Sequence, residues 1–89
     1  MDFEWDEVKN ARNRIKHGVD FSLAHEFDWD HALIEPDLRR DYGEDRFIAR
    51  GMGPDRIGYH IVFTMRNERT RIISMRPFNR KDTWLWMGN

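Results

Sequence analysis

The chain has 89 residues, no cysteine and a formal net charge of −1. That length allows one modest core, so a single domain over residues 1–89 is expected, and without cysteine there can be no disulfide, thiolate nucleophile or Cys-ligated zinc. The aromatic content of 13% argues against disorder, and neither a signal peptide nor an apolar run long enough to cross a membrane is present, so a cytoplasmic, membrane-free protein is expected.

Asp6 is placed to cap a helix from Glu7 to His17. Val8, Ala11 and Ile15 share one face of it, and Gly18 is suited to its C-terminal end. Asp20 can cap a second short helix from Phe21 to Phe27, with Leu23, Ala24 and Phe27 as its apolar side. The period then changes to two. Residues 32–34 predict a short strand ended by Pro36, and residues 46–50 predict another, followed by a turn at residues 51–55. Residues 57–65 are the clearest strand, with Ile57, Tyr59, Ile61, Phe63 and Met65 on one face and Gly58, His60, Val62 and Thr64 on the other. Asn67 and Glu68 mark a hairpin turn before a return strand over residues 71–76. Asn79 can cap a last helix over residues 80–87, with Asp82 at its third position.

This order predicts an α+β fold: two N-terminal helices packed on an antiparallel sheet of three or four strands, followed by a C-terminal helix. The helical pair is expected to cover the Tyr59/Ile61/Phe63 face and leave the His60/Thr64 face partly open. A three-residue turn would set Thr64 near Ile72, Val62 near Ser74 and His60 opposite Arg76, with Ile73 and Met75 in the core. A two-residue turn would instead bring Arg71 to the open face.

Charge is distributed unevenly. Residues 1–38 carry four Lys/Arg against ten Asp/Glu, whereas residues 39–80 carry ten Arg against five Asp/Glu. Guanidinium forks suit phosphate and stay charged when partly buried. Ion pairs on a solvated surface would explain the same composition. On the preferred register, however, His60, Thr64, Ser74 and Arg76 form one patch, and the strand carrying Arg46 and Arg50 can border it. Such a patch suits attack of a ribose 2′-hydroxyl on its neighbouring phosphate. Arginines can stabilise the charge that builds on phosphorus without a metal, His60 can carry a proton, and Trp86 can stack on a base. Arg50, Arg66 and Arg80 are further candidates for RNA contact. No cofactor or metal site is implied; the spacing of His25 and His31 from their acidic neighbours does not impose one.

The same residues resemble a known family. Phe3-Glu4-Trp5-Asp6, Lys9-Asn10, Asn13 and Lys16-His17-Gly18-Val19 with Phe21 resemble the BrnT signature. So do Ala24, Phe27-Asp28, Gly43-Glu44-Asp45-Arg46-Phe47, Gly51, Val62-Phe63-Thr64 with Arg66, and Arg71-Ile72-Ile73-Ser74-Met75-Arg76. The resemblance implies a RelE-like fold and a type II toxin that cuts RNA and arrests translation. It implies a ribbon-helix-helix antitoxin (BrnA-like) in a hetero-oligomer that binds operator DNA only as the complex. It also implies a site at Glu44, Arg46, Thr64 and Arg76, to which the strand reading adds His60, with Glu44 or His60 as the proton carrier. Relatives tend to carry Glu and Tyr where this chain has Asp82 and Trp86. An indole cannot replace a phenol as an acid, so this chain would need another proton donor or be a weaker nuclease. A catalytically degenerate binding module, or an RNA-binding protein that does not cut, are the alternatives.

Overall fold

The computed structural model describes residues 1–88. Five strands form one mixed sheet in the order β1-β5-β4-β3-β2: β1 Phe3–Glu4, β2 Leu33–Pro36, β3 Arg46–Met52, β4 Gly58–Arg66 and β5 Arg69–Pro77. The helices are α1 Glu7–His17 and α2 Arg80–Trp86. The expected sheet of three or four antiparallel strands gains β1, which runs parallel to β5 and pairs Phe3 with Thr70 and Glu4 with Arg71. Two residues have too little periodicity to announce a strand. The expected second helix is a 3-10 helix, Phe21–His25, and a further 3-10 turn, Trp29–His31, precedes β2.

Asp6 caps α1 by accepting from the Val8 and Lys9 amides, and Gly18 ends it at φ 70. The expected apolar stripe nevertheless faces away from the sheet: Val8 and Ile15 are exposed, while Asn10 and Asn13 are buried. The two sets are offset by two residues, roughly 200° around the helix, so opposite faces are involved. The helix docks by hydrogen bonds. Asn13 donates to the carbonyls of Val19 (2.9 Å) and Met75 (2.8 Å) and accepts from the Met75 amide (3.2 Å). Asn10 accepts from the Phe21 amide at 2.9 Å. One side chain thus joins α1, the following loop and β5. Replacing Asn13 by alanine would leave three buried backbone groups unpaired, and a loss of roughly 2–4 kcal/mol is expected in urea unfolding. A loss under 0.5 kcal/mol would show that the contact is dispensable.

The core lies where expected. Phe21, Ala24 and Phe27 pack on Tyr59, Ile61 and Phe63. The hairpin between β4 and β5 departs from the preferred register in an informative way. Its turn has two residues, with Asn67 at φ 49 and Glu68 at φ 67, both left-handed as a type I′ turn requires. Thr64 therefore pairs with Arg71 rather than Ile72. Phe63 then pairs with Ile72 but Val62 with Ser74, leaving Ile73 as the extra residue of a β-bulge. Ile72, not Ile73, joins Met75 in the core. Beyond the bulge the parity of β5 is reversed. Without it Arg76 would oppose Tyr59 on the core face; with it Arg76 opposes His60 on the other face.

That second face is less open than expected. His60 and Thr64 are buried, and α2 packs against β3. Among the described residues, no helix is long and apolar enough to cross a membrane.

Candidate active site

The last helix begins with a reciprocal cap: the Asn79 side chain accepts from the Asp82 amide, and the Asp82 carboxylate accepts from the Asn79 amide. This cap turns Asp82 back over the sheet, where its side chain is only 1% exposed. There it becomes a hub. Arg50 Nε donates to it from β3 at 2.8 Å, Arg76 donates to it from β5 at 2.6 Å, and His60 Nδ1 of β4 lies 3.1 Å away. Arg50 also donates to Glu35 of β2. Three neighbouring strands and one helix thus converge on a single carboxylate.

Burial opposes ionisation of Asp82, but hydrogen bonds from the Asn79 amide, Arg50 and Arg76 outweigh it and hold the carboxyl well below its usual range. His60 is shifted down from its ordinary 6.5, first by burial; Asp82 pulls it up, and Arg76 and Arg50 push it further down. The imidazole is therefore neutral at neutral pH. Arg76 approaches His60 Nδ1 at 2.7 Å. A guanidinium can only donate, so Nδ1 accepts and the ring proton sits on Nε2.

These groups border a cleft of about 410 Å³, closed on other sides by Leu38, Arg39 and Lys81. Arg50 is held on both sides by carboxylates and its side chain is 8% exposed. Arg76 is 27% exposed, so it is the better placed of the two to meet a ligand.

The remaining expected site residues lie apart. Arg46 is on the same face as Arg50, but four residues along β3, about 13 Å at the rise of a strand. Its Nε donates to Glu44 at 3.1 Å and its guanidinium lies 4.2 Å from the centroid of the Tyr42 ring. Glu44 also accepts from Arg66, and Arg66 first, then Arg46, lowers its pKa. Thr64 donates to the Asp45 carbonyl at 2.6 Å, which ties β4 to the loop before β3. So Glu44, Arg46, Thr64 and Arg66 form one group, and Arg50, His60 and Arg76 another; Arg46 and Arg76 do not share one ligand position. Arg80 is exposed in the first turn of α2, and its neighbour Lys81 is the one that lines the cleft. Trp86 is half-buried, tilted against Phe78 with ring centroids 6.3 Å apart. Sequence reasoning noted Asp82 as a cap and as the counterpart of a glutamate in relatives, but not as the hub of the site, and it missed Glu35 and Tyr42. The capping box was the available signal for Asp82, since a buried cap near several arginines attracts them. Among the described residues, no group of three His, Cys, Asp or Glu side chains is arranged to hold a metal ion.

The chain belongs among the ribonuclease toxins of type II toxin–antitoxin systems, and the arginine-lined cleft lies in a chain that two comparisons place there. Within that class the chain belongs to the BrnT family: the model described as "Ribonuclease toxin, BrnT, of type II toxin-antitoxin system" matches residues 5–82. The crystal structure of the Brucella abortus ribonuclease toxin BrnT is similar, with a TM-score of 0.72 and 29% identity over 90% of this chain and 99% of that one. No curated protein matches the sequence. Family membership implies an antitoxin partner.

Proposed function

We propose that this toxin is a metal-independent endoribonuclease of RelE-like type whose reaction centre is the cleft holding Arg76 and His60. The contact that carries this reading is Arg76 to His60 Nδ1, 2.7 Å, beside a buried carboxylate that holds Arg76 in place. An incoming phosphate competes for the Arg76 guanidinium. As Arg76 turns to it, His60 Nδ1 is released as a base. The ring is already unprotonated at neutral pH because burial lowers its pKa.

His60 then takes the proton of a ribose 2′-hydroxyl. The 2′-oxygen attacks the adjacent phosphorus, the bond to the 5′-oxygen breaks, and His60 returns the proton to the departing oxygen. The products are a 2′,3′-cyclic phosphate end and a 5′-hydroxyl end. Arg76 bears the negative charge that grows on the phosphoryl oxygens, a role for which fixed guanidinium groups serve without a metal. Glu44 is the other candidate proton carrier. It lies outside this cleft and is held ionised by Arg66 and Arg46, so it serves to fix Arg46 instead. Thr64, bonded to the Asp45 carbonyl, holds the same loop. Cleavage in cells would arrest translation, and a ribbon-helix-helix antitoxin would neutralise it.

The pH profile tests the base. The unprotonated ring is the active form and its pKa lies below 6.5, so kcat/KM is expected to stay level through neutral pH and to fall only below that value. Purified protein should cut single-stranded RNA in EDTA and leave cyclic phosphate ends. An acid limb that persists in His60→Gln would remove His60 from the reaction, and abolition by EDTA would remove metal independence. The reading as a non-cutting module draws on Trp86, which stands where relatives tend to have Tyr. It predicts that induction of the toxin alone leaves growth and RNA intact.

A further inference from the structure

A second cleft, of about 450 Å³, adjoins the first: Pro36, Asp37 and Leu38 line both. Its chemistry differs. The residues lining the first cleft include four Lys/Arg and three Asp/Glu. Those lining the second include only two Arg, Arg40 and Arg46, against four Asp/Glu. A phosphate is therefore favoured in the first and repelled in the second.

The second cleft instead presents flat groups. The Arg46 guanidinium stacks near the Tyr42 ring, 4.2 Å from its centroid, and Arg40 lies 6.0 Å from the same centroid. Phe47 also lines the cleft and stacks on Phe63. Both members of the Tyr42–Arg46 stack are pinned. The Tyr42 hydroxyl donates to Asp37 at 3.0 Å, and Asp37 is itself held by two hydrogen bonds from the Arg39 guanidinium. Arg46 is held by Glu44. A rigid aromatic–guanidinium pair is a surface on which an uncharged planar ring adds at little entropic cost.

Resting on the reading of the first cleft as a phosphodiester site, we infer that the Tyr42–Arg46 cleft is a nucleobase subsite. A single RNA strand crossing the ridge at Pro36, Asp37 and Leu38 sets one phosphate at Arg76 and stacks a nearby base on the Tyr42–Arg46 pair. The separation of Arg46 from Arg50 along β3, about 13 Å, is a span that a few nucleotides of single strand cover. This assigns Arg46 and Glu44 to substrate positioning rather than to the reacting phosphate.

The test uses the intact protein and short 2′-O-methyl RNA strands, which bind but cannot be cut, each with one abasic position. Binding is read by fluorescence anisotropy. Wild type should lose affinity at one or two abasic positions, and Tyr42→Ala should bind the full strand about ten-fold more weakly, the usual scale of one lost stack. Combined, the two losses should not add. Tyr42→Phe keeps the ring, gives up the Asp37 bond and should bind within about two-fold of wild type, which separates stacking from loop damage. The inference is overturned if Tyr42→Ala binds like wild type, or if it weakens every strand equally while the abasic penalty persists. It is also overturned if Tyr42→Ala loses antitoxin but not RNA, because the cleft would then belong to a protein partner. Cleavage of unmodified RNA is scored in parallel. A wild type that shows the Tyr42-dependent base penalty but cuts nothing retains the subsite and overturns the nuclease. A wild type that cuts RNA with no base penalty does the reverse.

Discussion

Asp82→Ala is expected to destabilise the protein by roughly 3–5 kcal/mol, the scale seen when one partner of a buried ion pair is removed. The carboxylate is 1% exposed, and Arg50, the more deeply held of its two guanidinium partners, is only 8% exposed. Removing it leaves Arg50 with Glu35 alone and Arg76 beside an imidazole that cannot neutralise it. The half of the reciprocal cap in which the Asp82 carboxylate accepts from the Asn79 amide is lost at the same time, which adds to the damage. Asp82→Asn keeps much of the shape but not the charge, so it should recover the cap and little else. Urea unfolding of both variants checks this. Equal stability of Asp82→Ala and wild type would mean that the network contributes nothing to the fold. The acid dependence follows from the sign of the shift. A carboxyl held below its unfolded value stabilises the native state above that value, so this contribution is complete above about pH 4 and is lost as pH falls through the depressed folded pKa.

Arg76→Ala is expected to abolish RNA cleavage, with a loss on the order of a thousand-fold or more, while the protein stays folded. Arg76 is the partly exposed member of the network, and its removal leaves the buried Arg50 still paired with Glu35 and Asp82. Asp82 keeps the Arg50 bond and its cap. Arg76→Lys tests geometry as well as charge. A point charge cannot hold Asp82 and His60 with separate nitrogens as the guanidinium does, so most of the activity should remain lost. Cleavage rates with purified protein, and growth on induction without antitoxin, are the measurements. A folded Arg76→Ala variant that cuts RNA and arrests growth at the wild-type rate would exclude the proposed reaction centre.

How far the amino acids disclosed this arrangement can be followed element by element. Helix starts were legible because Asp6 and Asn79 are local caps whose partners lie within three residues. β4 was legible because alternating residues over one strand record which face is buried. The burial of α1 was not. Its Val8, Ala11 and Ile15 stripe has the period of a core face, yet two asparagines on the other side make the bonds that seat the helix. A hydrogen bond from Asn13 to Met75 joins residues 62 apart and leaves no periodic trace. Within the site, His60 and Arg76 were correctly paired across the hairpin, but by a turn length that the protein does not use.

From its sequence alone this chain can be read as an α+β protein with capped helices at both ends, an arginine-rich second half, and motifs of a ribonuclease toxin family. Those features depend on neighbours a few residues apart or on composition. Tertiary structure decided the rest: which of ten arginines in residues 39–80 face a cleft, and which are consumed by ion pairs with carboxylates. The physical reason is a single unpaired residue in β5. Side chains on a strand alternate with period two, so one extra residue at Ile73 exchanges the faces of everything after it. That exchange carries Arg76 from the core side to His60, and only pairing between two strands can specify it.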